Sequence, residues 1–116
     1  RADATFECTF VDGSRASGMT LLMVAMAYSH EGLAEALLQR GADVKLQNSD
    51  SATALSLAAG MGREKLVELA LRHGAEINRR SGRYSSTPLM AAASSGHEKV
   101  VDSLIRHGAA IDMHNS

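Results

Sequence analysis

The chain has 116 residues and carries 12 basic against 13 acidic side chains, which gives a formal net charge of −1. This length suits one ordinary domain, and the near-neutral charge argues against bulk attraction to nucleic acid or to an anionic membrane. No apolar stretch is long enough for a bilayer-spanning helix, so we expect no direct membrane insertion.

The N-terminal residues and the cysteine content indicate what kind of polypeptide the chain belongs to and in which redox environment it works. The chain begins at Arg1 without an initiator methionine or an apolar signal region, and we expect it to be part of a longer polypeptide. The single cysteine, Cys8, cannot form an internal disulfide, which favours a reducing intracellular location, cytoplasmic or nuclear. Aromatic residues make up only 3% of the chain. A core of alanine and leucine suits closely packed thin helices better than a centre built on large aromatics.

The N-terminal segment shows an alternating pattern. Phe6, Cys8 and Phe10 alternate with polar residues, which is typical of a short strand with one buried side. We interpret residues 1–17 as an extended N-terminal cap, or as the remnant of a preceding repeat, laid over the helices that follow.

From residue 18 onward the sequence repeats itself. Two landmarks recur at spacings of 33 and 34 residues, a threonine ahead of an apolar run and a glycine–alanine pair. They begin at Thr20, Thr53 and Thr87, and at Gly41, Gly74 and Gly108. Because two independent landmarks keep the same spacing, we predict three repeats, at residues 18–50, 51–84 and 85–116.

Each repeat is predicted to form a helix, a turn, a second helix and an extended finger. The threonines suit helix N-caps, and Pro88 suits a first helical position. Left-handed residues should end the first helices at Ser29, Gly62 and Gly96, and glycines should end the second helices. The second helices carry apolar residues at i, i+3 and i+4 spacing. Their predicted buried faces are Leu33, Leu37 and Leu38; Leu66, Val67 and Leu71; and Val100, Val101, Leu104 and Ile105.

These units resemble ankyrin repeats, whose pattern runs G-x-T-P-L-H-x-A-A, then G-H, an apolar helix and G-A-D-V-N. Residues 18–44, 53–78 and 87–112 match it. The resemblance implies an all-α ankyrin solenoid of stacked helix-turn-helix units with extended β-turn fingers. The sequence departs from the pattern at its histidine, where Met23, Ser56 and Met90 stand.

Motifs for chemistry are scarce. The sequence contains no G-x-S-x-G elbow, no phosphate-binding loop and no H-E-x-x-H motif, so we expect neither catalytic residues nor a cofactor. Two histidine pairs are repeat-equivalent, His30 with His97 and His73 with His107. Stacked repeats place equivalent residues about 10 Å apart, which is too far for one metal ion. We therefore predict structural roles for the histidines and no metal site.

One finger carries a local cluster of positive charge. Arg79, Arg80 and Arg83 fall within five residues, beside Tyr84. Arginine and tyrosine dominate binding hot spots, so this finger is a candidate clamp for an acidic or phosphorylated segment. The alternative is a solvated loop whose charges contribute little.

The resemblance also implies where a partner would bind. In ankyrin repeats the contacts come from finger tips and from the exposed ends of the first helices. Carried over by register, these positions are Tyr28, Met61 and Ser95 on the helices, and Gln47, Asp50, Arg79, Arg80, Arg83 and Tyr84 on the fingers.

We therefore predict a monomeric, non-catalytic protein-interaction module for a partner protein or peptide. Two alternatives stay open: recognition of a phosphorylated or acidic ligand by the basic finger, and a structural spacer in a longer repeat array.

Overall fold

A computed structural model describes residues 5–9, 15–81 and 85–111. Within these ranges a two-stranded sheet is followed by six helices. The strands are β1 (Thr5–Thr9) and β2 (Arg15–Thr20). The helices are α1 (Leu21–Ala27), α2 (Glu31–Gln39), α3 (Ala54–Gly60), α4 (Glu64–Arg72), α5 (Pro88–Ser94) and α6 (Glu98–Arg106).

The N-terminal strands form an antiparallel pair. Phe6 lies opposite Met19 and Cys8 lies opposite Ala16, with a register shift between the two pairs. A shift of this kind locally interrupts the alternation of a strand. The strand predicted around Phe6 and Cys8 is present, whereas Phe10 lies outside the described residues. The interpretation of residues 1–17 as a cap stays a prediction.

The six helices form two rows. The first helices of the repeats, α1, α3 and α5, pack side by side, and the second helices, α2, α4 and α6, form the other row. Each first helix also packs against the second helix of its own repeat. This stacking of helix-turn-helix units confirms the predicted all-α repeat fold.

Threonine caps start the first helices, as predicted. The hydroxyls of Thr20, Thr53 and Thr87 each accept the backbone N–H three residues later, at 3.2 to 3.3 Å. Ser56 and Met23 stand where the family pattern has histidine, and their side chains accept a hydrogen bond from the backbone N–H of the capping threonine. The Thr53 N–H donates to Ser56 Oγ at 2.8 Å, and the Thr20 N–H donates to Met23 Sδ at 3.5 Å. Reciprocal capping therefore persists without the histidine.

The predicted stop positions are also confirmed. Ser29, Gly62 and Gly96 follow the first helices with φ of 60°, 75° and 76°. Gly41, Gly74 and Gly108 follow the second helices with φ between 90° and 96°. Left-handed backbone at these points lets the chain turn sharply after each helix.

The first helices bury an alanine at one equivalent position in every repeat. Ala25, Ala58 and Ala92 are repeat-equivalent and fully buried. Leucines and valines of the second helices complete one continuous core that runs through all three repeats. Among the described residues, this core holds no aromatic side chain, as the composition predicts.

Two predicted core residues are exposed, and the prediction was wrong there. Leu33 and Ile105 each expose 41% of their surface. The equivalents of Leu33 are Leu66 and Val100, each 1% exposed because α4 and α6 have a preceding helix beside them. Ile105 lies at the opposite end of the same row, on the side away from α4. Both residues are exposed because they lie at the two ends of the row of second helices.

Candidate functional site

Three of the predicted contact residues lie in a row at the ends of the first helices. Tyr28, Met61 and Ser95 are the C-cap residues of α1, α3 and α5. Met61 exposes 46% of its surface, Ser95 is exposed and Tyr28 is half-buried. Because the three positions are repeat-equivalent, the stack brings them along one edge of the first-helix layer. We call them the helix-end row.

The finger residues Gln47 and Arg79 are joined to each other. Arg79 Nη2 donates to Gln47 Oε1 at 2.7 Å, and Arg79 Nη1 pairs with Glu76 Oε1 at 3.4 Å. Gln47 Nε2 in turn donates to the carbonyl oxygen of Ser51 at 2.9 Å. Arg79 therefore ties its own finger to the finger of the preceding repeat.

Arg80 is bound within its own finger. Its Nη1 donates to the Ser85 carbonyl oxygen at 2.7 Å, next to a short antiparallel bridge between Ser81 and Ser86. Arg80 is therefore held by Ser85, which lies later in the chain than positions 82–84. The predicted contact residues Arg83 and Tyr84 lie outside the described residues.

Asp50 lies in a tight turn of the first finger. The Asn48 Oδ1 atom accepts the backbone N–H groups of Asp50 and Ala52 at 2.9 and 3.0 Å. This arrangement fixes the turn, and Asp50 is exposed. The carboxylate is therefore displayed on the outside of the finger.

A strip of apolar side chains connects the fingers with the helix-end row. In each repeat the first helix lies between the preceding finger and the residue of the helix-end row. Because this helix has seven residues, the finger and the helix-end residue lie about 10 Å apart along its axis. Val24 and Leu57 lie between, half-buried, and pack with Leu46 around Met23. Val24 and Leu57 each precede the helix-end residue of their own helix by four positions, so they lie on the same face of the helix as that residue.

Sequence reasoning missed this strip. A half-exposed valine or leucine on an apolar helix looks like any other core residue. The available signal was the repeat register, because Val24, Leu57 and Ala91 are equivalent and lie one helical turn before the helix-end row. We call Val24, Leu46 and Leu57 the apolar strip.

Two of the histidines, His97 and His107, contact backbone carbonyl oxygens. His97 Nε2 lies 3.1 Å from the Gly60 carbonyl oxygen, and His107 Nδ1 lies 2.7 Å from the Ser103 carbonyl oxygen. Over the described ranges, no group of three His, Cys, Asp or Glu side chains is placed to hold a metal ion. In the same part of the chain, no helix has the length and apolar character needed to cross a membrane.

Comparison with protein families agrees with this geometry. The family model for ankyrin repeats, in three copies, matches residues 22–115. Ankyrin repeats are generally protein–protein interaction modules and are typically non-enzymatic. Because the match covers most of the chain and all six helices lie in it, apart from the first residue of α1, the chain belongs to the ankyrin-repeat family.

Proposed function

We propose that this chain is a non-catalytic interaction module whose apolar strip and helix-end row together bind a segment of a partner protein. The observation that carries the proposal is the position of Met61. It exposes 46% of its surface in the middle repeat and continues the face of Leu57 on the same helix. A monomeric state and a cytoplasmic or nuclear location accompany this proposal as predictions.

The apolar side chains support the proposal because they are grouped. Single exposed apolar residues are common on protein surfaces and carry no meaning alone. Here Tyr28 and Met61 lie at one end of a strip formed by Val24, Leu46 and Leu57. Contiguous apolar surface of this kind marks interaction sites. The capped helices hold the surface rigidly, so binding loses little conformational entropy.

The second candidate is capture of an acidic or phosphorylated ligand by the basic finger. Lys45 and Arg79 line one small depression between neighbouring fingers, which favours an anion. Glu76 lines the same depression and already pairs with Arg79. An anion would have to displace Glu76 and Gln47, and each lost hydrogen bond costs about 1 kcal/mol. We therefore favour the apolar strip as the main contact.

Affinity capture with matched baits tests the proposal. The baits are the native chain, Met61→Asp, and Leu33→Asp as the control, because Leu33 is similarly exposed but lies on a second helix. We expect a partner that is retained by Leu33→Asp and lost by Met61→Asp. Titration of that partner should then show at least a tenfold loss of affinity, the effect of a hot-spot residue. Circular dichroism checks that all baits are folded.

Other capture results would favour the basic finger or the structural spacer instead. A partner that survives Met61→Asp but is lost by an Arg79→Glu, Arg80→Glu variant would contradict the proposal and assign recognition to the basic finger. Its affinity should then fall steeply as salt is added, because exposed charges are screened over about 8 Å at physiological ionic strength. An empty capture with every bait would favour the structural spacer.

A further inference from the structure

A serine lies at the centre of the arginine cluster in the basic finger. Ser81 directly follows Arg79 and Arg80, and Arg83 comes two positions later. The hydroxyl of Ser81 therefore has positive charge on both sides along the chain. The proposed function gives these arginines no role of their own, because it places the main contact on the apolar strip.

The preceding finger has serines in the opposite charge environment. Ser49 and Ser51 are both exposed, and Asp50 lies between them. No arginine or lysine lies within three positions of either serine along the chain. Two neighbouring fingers thus carry serines that differ in the charge around them, which provides an internal comparison.

Few contacts hold the segment that carries Ser81. Ser81 and Ser86 exchange two backbone hydrogen bonds at 2.9 and 3.0 Å, and Arg80 Nη1 donates to the Ser85 carbonyl oxygen at 2.7 Å. None of these residues belongs to a helix or to the continuous core. Ser81 is half-buried, and its hydroxyl has no hydrogen-bond partner among the described residues. A short segment held in this way opens locally without unfolding of the helices.

We propose that Ser81 is a phosphorylation site for a protein kinase whose substrate groove is acidic. The Ser81 Oγ atom bonds to the γ-phosphorus of ATP, the bond from that phosphorus to the bridging oxygen breaks, ADP leaves and the hydroxyl proton passes to a base of the kinase. Arg79, Arg80 and Arg83 supply the guanidinium groups that carboxylates of such a groove bind in bidentate pairs. The inference goes beyond the proposed function and does not depend on it.

A phosphate at Ser81 would change the contacts of Arg79. This side chain now binds Gln47 Oε1 and Glu76 Oε1. A phosphoserine carries a charge of about −1.5 to −2 at pH 7, and its oxygens bind a guanidinium more strongly than a neutral amide oxygen does. The bond with Gln47 is therefore the first that Arg79 would exchange. Phosphorylation would loosen the link between the two fingers and lower the positive charge offered to an acidic ligand.

Phosphorylation of the purified chain in vitro tests the proposal without a binding partner. The chain is incubated with magnesium and ATP, in separate reactions, with a kinase that selects arginine-flanked serines and with one that selects serines beside acidic residues. We expect the first kinase to phosphorylate Ser81 and the second to leave it unmodified, as read by mass spectrometry of the chain and its fragments. Ser81→Ala should abolish this modification, and Ser51→Ala should retain it.

Two further variants separate the charge of the arginines from their structural contacts. The double variant Arg79→Ala, Arg80→Ala should lower kcat/KM for Ser81 at least about tenfold, because charge-assisted hydrogen bonds to the kinase are lost. Gln47→Ala removes the contact of Arg79 with the preceding finger but keeps its charge. It should therefore leave kcat/KM nearly unchanged. Circular dichroism checks that every variant is folded.

Two results would overturn the proposal. The first is an unmodified Ser81 in a reaction where the arginine-selecting kinase phosphorylates a peptide substrate added as an internal standard. The second is a double arginine variant that is phosphorylated as fast as the native chain, which would show that the arginines do not direct the kinase.

Discussion

The imidazole of His97 bonds across a repeat boundary to Gly60, with 3.1 Å between its Nε2 atom and the glycine carbonyl oxygen. One repeat earlier, Arg63 Nη2 lies 3.5 Å from the Ala27 carbonyl oxygen. Donors and acceptors are repeat-equivalent in the two contacts. In the second and third repeats, the residue that precedes the second helix therefore ties its repeat to the end of the preceding first helix, through Arg63 in one case and His97 in the other.

Replacement of His97 by alanine should lower the free energy of unfolding by about 1 kcal/mol, because it removes one hydrogen bond between repeats. His30→Ala is the matched control, since His30 is the exposed equivalent in the first repeat. Urea denaturation followed by circular dichroism measures both. An equal loss in the two variants would show that the contact with Gly60 contributes nothing specific.

Gly62→Ala should destabilise the chain more than Gly74→Ala. Both glycines have positive φ, 75° and 96°, so both substitutions carry left-handed strain of about 1 kcal/mol. At Gly62 a Cβ would also lie 2.6 Å from His97 Nδ1, whereas at Gly74 no atom lies within 4 Å. The difference should largely vanish when His97→Ala is added to Gly62→Ala. Additive losses in that double variant would contradict the steric explanation.

Ser56→Ala should cost about 1 to 3 kcal/mol, because the Thr53 N–H would be left buried without its acceptor. Ser56 Oγ now accepts that N–H at 2.8 Å. Ser94→Ala provides the control, as an exposed serine of another first helix whose removal should stay within about 0.5 kcal/mol. Thermal denaturation of the two variants side by side gives the comparison.

The bond between Gln47 and Arg79 should contribute less than about 1 kcal/mol, as exposed charged contacts generally do. A double-mutant cycle with Gln47→Ala and Arg79→Ala isolates the coupling energy. We expect little change in that coupling between low and high salt, because the Gln47 amide carries no net charge, while the pair of Arg79 with Glu76 should weaken. A coupling above about 2 kcal/mol would mean that the two fingers depend on this contact for their structure.

Local signals account for what the sequence predicts well. Each first helix begins after a threonine and ends before a left-handed residue, and both signals act within one turn of the chain. The helix Ala54–Gly60 accordingly begins directly after Thr53 and ends two residues before Gly62. The register of the repeats then places Met61 and its equivalents in one row without any knowledge of the tertiary structure.

Features that depend on neighbours were harder to predict. The burial of Leu33 and Ile105 is decided by whether another helix lies beside them, and the apolar period of a single helix carries no information about that. The bond between Gln47 and Arg79 joins residues 32 positions apart, so no short pattern contains it. The apolar strip was missed for a related reason, since its partial exposure arises only in the stack.

The buried alanines Ala25, Ala58 and Ala92 influence the binding surface although they lie beneath it. All three methyl groups are fully buried in helices that pack side by side, so the packed first-helix layer has no space for a larger side chain at these positions. A larger residue at Ala58 should therefore force the neighbouring helices to shift. We expect such a shift to change the spacing of Tyr28, Met61 and Ser95, although Ala58 itself is inaccessible to any partner.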